Sequence, residues 1–302
     1  MKPMNWAKLA QLIDEGRGQG HLEAYASLLR ITRRNFPRYS NQVVAVLPGF
    51  RRRFDFLSRA EYRIALFCIW LGVIDLREQF PLWPFPHQHP LNDWPLASVP
   101  ARYAPALQDI AREAGIDHGQ FPGSVVPYVA TTDILLTMGD RQAPSLVAIA
   151  CKAASRLRRV ESSQRMMERL ELERRYFEAV GARFVIADGG DINTTLLANL
   201  QTVAPDHSSV ARLAAFTERE AAQEAMQRRL EQESIRDAVW ATMRDLRLAA
   251  NLAWDVFHAL AWSAKIDVDL TQPLHVTLPL RGGGSQRRVT LRRTWLGEVR
   301  HG

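Results

Sequence analysis

Hydrophobic positions from Tyr62 onward recur at helical spacing: Tyr62, Ala65, Leu66, Ile69 and Trp70 fall on one face, and Gly72 closes the element. Ser58 stands three residues before Glu61, the spacing of a capping box in which hydroxyl and carboxylate each satisfy a free backbone N–H. The period then changes. Over residues 73–80, Ile74, Leu76 and Phe80 are apolar while Asp75, Arg77 and Gln79 alternate with them, which predicts a half-buried strand. Residues 125–138 form a second β-rich run, a turn at Gly139-Asp140 follows, and residues 145–151 complete a predicted hairpin. A charged helix is expected over residues 160–180, ended by Gly181, with a short apolar strand at 183–187. Helix, strands, helix, strand is the order of an α/β unit.

On either side the pattern differs. Residues 1–45 read as a leading arm of short helices, and residues 81–127 as a proline- and tryptophan-rich packed loop with a short helix at 105–114. After Gly189-Gly190, helices are expected at 192–200, 208–231 and 235–262. The tail alternates over 274–280 and 286–293 around Gly282-Gly283-Gly284, which predicts a β-hairpin. Helices followed by a basic hairpin suggest a winged-helix-like module. The expected organisation is an arm over 1–45, an α/β domain over 46–188 and a mostly helical, winged-helix-like domain over 205–302.

Composition narrows the classes. With 302 residues, 47% apolar and 24% charged, the chain is that of a folded protein rather than a fibrous or disordered one. The longest apolar run, residues 65–74, is half the roughly 20 residues a bilayer span requires. The N-terminus has no hydrophobic core followed by a cleavage site, so a cytoplasmic protein without membrane association is expected. Cys68 and Cys151 lie in apolar stretches without ligand-spaced partners, which argues against a disulfide scaffold or a cysteine zinc site. A zinc site at His87 and His89 lacks a third ligand. Gly282–Gly284 lacks the Gly-Lys-Ser/Thr of a nucleotide loop.

Charge is more informative in its distribution than in its sum. Seven Lys/Arg against three Asp/Glu in the last forty residues give +4 of the net +7, which favours a polyanionic partner. Arg287, Arg288, Arg292 and Arg293 flank the predicted wing, where they would contact DNA phosphates or else face solvent; Arg51, Arg52 and Arg53 form a lesser basic cluster. Only four lysines occur, at 2, 8, 152 and 265.

Three charges stand where their elements are apolar: Glu61 in the first turn of a buried helix, Asp133 inside a strand and Lys152 at the end of another. Buried charges are costly unless paired or bound to metal. Two carboxylates converging beside an ammonium would hold Mg²⁺ and place a cation near a phosphate or an attacking water, a phosphodiesterase geometry. Each also has a purely structural reading: a capping box for Glu61, a solvent face for Asp133, a strand-end lysine for Lys152. In an arginine-rich chain, Lys152 suggests a need for a compact ammonium that can change its protonation.

The segments Ser58 to Glu61, Val73-Ile74-Asp75-Leu76-Arg77-Glu78-Gln79-Phe80-Pro81-Leu82, residues 110–118, Thr131-Thr132-Asp133 and Cys151-Lys152 together resemble the TnsA-type endonuclease subunit of heteromeric transposases, a branch of the PD-(D/E)xK nuclease superfamily. The likeness covers residues 55–200 and extends more loosely to Asp267–Leu274. It implies a restriction-endonuclease-like core, a mixed sheet flanked by helices. It also implies that Glu61, Asp133 and the carbonyl of Cys151 ligate Mg²⁺ or Mn²⁺, while Lys152 activates water or stabilises the developing phosphorane. The implied activity is cleavage of the non-transferred strand at the 5′ ends of a transposon. The implied partners are double-stranded DNA, a DDE-family transposase of the TnsB type and an AAA+ regulator of the TnsC type. One position departs: Ala150 stands where the family carries glutamine or glutamate. Glu161, Glu168 and Glu171 are candidate replacements, and a catalytically impaired bridging subunit is the alternative.

Overall fold

A computed structural model describes residues 4–32, 41–152 and 163–297. Its centre is a four-stranded mixed sheet in the order β3-β6-β7-β8, formed by Asp75–Leu82, Ala130–Gly139, Pro144–Cys151 and Arg183–Ala187. The first three strands are antiparallel to their neighbours, and β8 runs parallel to β7. That parallel step requires a crossover, and the helix over Ser163–Ala179 belongs to it. Short pairs β1–β2 (Val43–Val46, Arg53–Phe56) and β4–β5 (His87–Gln88, Tyr103–Ala104) lie outside the sheet. In chain order the helices are α1 (Trp6–Asp14), α2 (Arg59–Trp70), α3 (Leu107–Ala114) and α4 (Ser163–Ala179). Then follow α5 (Thr194–Val203), α6 (His207–Ala215), α7 (Arg219–Leu230), α8 (Ile235–Asp245), α9 (Ala250–Trp262) and α10 (Gly284–Leu296).

A mixed sheet flanked by helices and followed by a helical C-terminal region is the expected fold class. The capping box is present: Ser58 Oγ accepts from Glu61 N at 3.2 Å and donates to Glu61 Oε1 at 2.9 Å, starting α2. The apolar face of α2, with Ile64, Leu66, Phe67 and Cys68, packs on one side of the sheet together with Ile134, Leu136 and Ile149. That cluster continues into Leu196, Leu200, Val239, Val256 and Leu260 of the C-terminal helices. The opposite side holds a second core, in which Leu135 and Ala148 meet Leu107 of α3 and Leu172, Tyr176 and Phe177 of α4.

Three expectations are corrected. The strand over 75–82 is buried along its whole length, so Asp75, Arg77, Glu78 and Gln79 have no solvent face. The N-terminal segment covers it: Tyr25 Oη donates to the Glu78 carbonyl at 3.0 Å, and His21 lies 3.8 Å from the Asp75 carboxylate. Each of the two long helices expected after residue 207 is divided in two, α6/α7 and α8/α9. The tail holds no wing hairpin, because residues 284–296 are helical. Asp267 accepts from Gly283 N at 2.7 Å and Ser285 N at 2.8 Å, which caps the helix, and Gly283 supplies the left-handed turn before it (φ +93°). Leu291, Trp295 and Leu296 then pack on the α2 core at helical spacing, where a strand would have sent alternate residues outward.

Candidate active site

Antiparallel pairing of β6 and β7 brings the strand ends together, and there Asp133 Oδ2 accepts from Cys151 N at 2.6 Å and from Lys152 Nζ at 2.7 Å. Lys152 Nζ also donates to the Cys151 carbonyl at 3.3 Å. Burial alone would lower the Lys152 pKa, but the charge and hydrogen bond of Asp133 outweigh it and raise it. The ammonium therefore stays charged across the neutral range; a lysine poised to lose its proton is not what the site contains. Among the described residues no hydrogen bond reaches Asp133 Oδ1, which leaves one oxygen open beside a fixed one.

Glu61 reaches the same place from α2. Its Oε2 accepts from Leu57 N at 2.9 Å and from Gln79 Nε2 at 3.1 Å, while Oε1 accepts from the Ser58 hydroxyl. A carboxylate offers about four lone-pair directions, so three donors orient it and leave one free on Oε1. Burial and then the charge of Asp133 push the Glu61 pKa up to about 7. The Asp133 charge makes Glu61 harder to ionise, and the Lys152 charge acts on it in the opposite sense.

A third carboxylate, Glu173 of α4, completes the group and was not singled out from the sequence. It is buried, its Oε2 has no hydrogen-bond partner among the described residues, and burial lifts its pKa to about 8. The charges of Lys152 and Asp133 act on it, the first lowering and the second raising its pKa. Two of the candidates for replacing the missing side chain at Ala150 are committed to arginines. Glu168 pairs with Arg165 at 3.1 Å and Glu171 with Arg174 and Arg175, on the outer side of the helix; Glu161 lies outside the described residues. Positions 171 and 173 are two residues apart on a helix and so point to nearly opposite sides. Glu173 stands beside Leu172 and three residues before Tyr176, both buried, on the inward side of the helix.

Whether a divalent cation fits is decided by charge and donor chemistry. Glu61, Asp133 and Glu173 set three carboxyls against one ammonium, and among the described residues no guanidinium pairs with any of the three. Their oxygens and the Cys151 carbonyl are hard donors of the kind Mg²⁺ and Mn²⁺ take. No ready-made cluster of three His, Cys, Asp or Glu side chains at ligating spacing exists among the described residues. The donor set fits a cation drawn in among two carboxylates, a carbonyl and water. Ala150 is fully buried and its methyl side chain offers no oxygen.

The remaining expected site residues divide. Arg288 lies over the Trp70 ring, 5.2 Å from its centroid, and Arg292 Nη1 donates to the carbonyls of Leu71 and Gly72 at the end of α2. Arg287 and Arg293 are exposed. Arg52 is committed to the buried Glu78 at 2.8 Å, and Arg53 to Asp55. His87 bonds Tyr176 Oη at 2.8 Å, and His89 bonds the Val180 carbonyl at 2.9 Å.

Residues 72–189 match the family described as TnsA-like endonuclease N terminal. The chain is 30% identical over 195 residues to the transposon Tn7 transposition protein TnsA of Escherichia coli, a match over 64% of this chain. It spans 61% of that relative's length. Gln79, Asp133, Lys152 and Glu173 fall inside the family match, whereas Glu61 precedes it.

Proposed function

We propose that this chain, whose residues 72–189 match the TnsA-like endonuclease family, is the divalent-cation-dependent DNA endonuclease subunit of a heteromeric transposase. It cuts the non-transferred strand at the 5′ ends of the element, beside a DDE-family transposase of the TnsB type and an AAA+ regulator of the TnsC type. The observation that carries this reading is the 2.7 Å pairing of Asp133 with Lys152 at the end of β7, close enough to Glu61 and Glu173 for the charges of both partners to act on them. Glu61, Asp133 and the Cys151 carbonyl would hold Mg²⁺ or Mn²⁺, and Glu173 supplies from α4 the acidic oxygen that Ala150 lacks. When bound, the cation would lower the pKa of its water and offset phosphate charge.

The protein's own groups perform the rest. Asp133 fixes Lys152 by a 2.7 Å charge-assisted hydrogen bond, so the ammonium is aimed before DNA arrives. Because Lys152 stays protonated, it stabilises charge building on the phosphate oxygens; it does not act as the base. A proton leaving the attacking water would pass to a carboxylate oxygen of the site that is ionised and not engaged by the cation.

Ala150 favours a second reading, in which the chain bridges transposase and regulator without cutting. A nicking assay on transposon-end DNA with the partner transposase separates the two. Cleavage in Mg²⁺ that chelator stops, and that Asp133→Ala and Lys152→Ala abolish, supports the nuclease; Mg²⁺-independent absence of cleavage by the wild type supports the bridge.

A further inference from the structure

Gln79 is the residue in β3 whose backbone breaks the rule of its strand. Its φ is +49°, left-handed, in a non-glycine residue that is almost fully buried. Pairing skips it: Glu78 faces Ile134 and Phe80 faces Thr132, with the Gln79–Asp133 step between them unpaired. The sheet changes face at this step. Leu76, Ile134 and Leu136 belong to the core under α2, while Phe80, Leu82 and Ala130 belong to the core under α3 and α4. A glycine would make such a reversal at no steric cost. The chain instead places a side chain there that uses both ends of its amide: Nε2 donates to Glu61 Oε2 at 3.1 Å, and Oε1 accepts from Thr131 Oγ1 at 3.1 Å.

We infer that Gln79 is a positioning residue for cation binding, a polar strut between β6 and α2 that sets the orientation in which Glu61 presents its free oxygen. The inference rests on the metal-dependent reading above. Backbone strain held at one position is a feature of sites that need a fixed geometry, and here it aims the amide. An amide has a donor for the carboxylate and an acceptor for the hydroxyl at this length; a carboxylate would repel Glu61, and an aliphatic chain would remove one of the three donors to Glu61 and the acceptor of Thr131. Outer-shell partners of metal-binding carboxylates typically contribute 10- to 100-fold in affinity.

The test is Mn²⁺ titration of the full chain by calorimetry, with thermal unfolding of each variant measured without cation. Asp133→Asn is expected to abolish Mn²⁺ binding. Gln79→Gly relieves the left-handed strain and is expected to melt near the wild-type temperature, yet to bind Mn²⁺ about tenfold or more weakly. Gln79→Met, of similar length and without hydrogen bonds, is expected to weaken binding to the same degree. Wild-type affinity in both Gln79 variants, with binding lost in Asp133→Asn, overturns the role of Gln79 and leaves the metal reading standing. Failure of the wild type to bind Mn²⁺ overturns the metal reading and the strut with it.

Discussion

Strand β3 passes through two clusters of buried charge that differ in one respect. At its start, Asp75 and Glu78 are matched by Arg77 and Arg52, with His21 beside them: Arg77 Nε lies 3.6 Å from Asp75, Arg52 lies 2.8 Å from Glu78 and spans the Phe54 ring at 3.7 Å. Burial alone would raise the Asp75 pKa, but His21 and Arg77 outweigh it and hold it below the ordinary carboxylate range. A few residues on, Gln79 leads to Glu61, Asp133 and Glu173, where one lysine serves three carboxyls and two of them are pushed up to about 7 and 8. The first cluster is matched in charge, although both Asp75 carboxylate oxygens lack a hydrogen-bond partner among the described residues and burial raises the Glu78 pKa, and it lies against the N-terminal segment. Among the described residues the second holds a single ion pair, Lys152 with Asp133, for its three carboxyls, and that shortage is what a divalent cation would fill. Buried charge therefore marks a functional site only where its own partners leave it unbalanced.

The largest way to break this contrast is at the unbalanced cluster. Asp133→Ala and Lys152→Ala are each expected to lower Mg²⁺-dependent nicking by about 10³-fold, in the range seen for removal of a preorganised electrostatic group. Neither should unfold the protein, which circular dichroism checks. At the balanced cluster the effects reverse. Arg52→Ala strands the fully buried Glu78 and should cost about 3–5 kcal/mol in chemical denaturation, with Mn²⁺ binding retained wherever the chain stays folded.

Much of the site was legible in the sequence, and the remainder was hidden for specific reasons. Glu61 was visible through its capping box and Asp133 and Lys152 through charge placed in apolar strands, because these are local patterns. Glu173 was not, because on a helix with acidic residues at 168, 171, 173 and 178 the sequence does not say which one points inward. The alternation of β3 was read as a strand with a wet face. In the structure an N-terminal segment more than fifty residues away in sequence covers that face, with Tyr25 bonded to Glu78. The tail's alternation of Val289 and Leu291 hid a helix, since the stop and start signals there, Gly283 and the distant cap Asp267, act through tertiary contact. Of the four arginines expected on a wing, Arg288 and Arg292 instead hold the end of α2.

Smaller effects sharpen the comparison. Carboxyls whose folded pKa is raised contribute stability that is complete below the unfolded value of about 4.5 and is lost as pH rises through the folded value. Without cation, the chain should lose stability between pH 5 and about 8, and Glu173→Gln should recover about 1–3 kcal/mol of it at pH 8.5, as read by denaturant midpoints. At the surface, Arg292→Ala should cost about 1 kcal/mol by removing a donor from the α2 terminus. Arg287→Ala is expected to stay within about 0.5 kcal/mol of the wild type. If Arg287 and Arg293 lie along DNA, replacing both should flatten the salt dependence of binding by about one unit per arginine.

The most direct test of a charge-deficient, cation-filled site is thermal unfolding of the full chain at pH 8 with and without Mg²⁺. Mg²⁺ is predicted to raise the melting temperature of the wild type and to leave that of Asp133→Asn unchanged. An equal rise in both proteins, or no rise in the wild type at saturating Mg²⁺, would contradict the account.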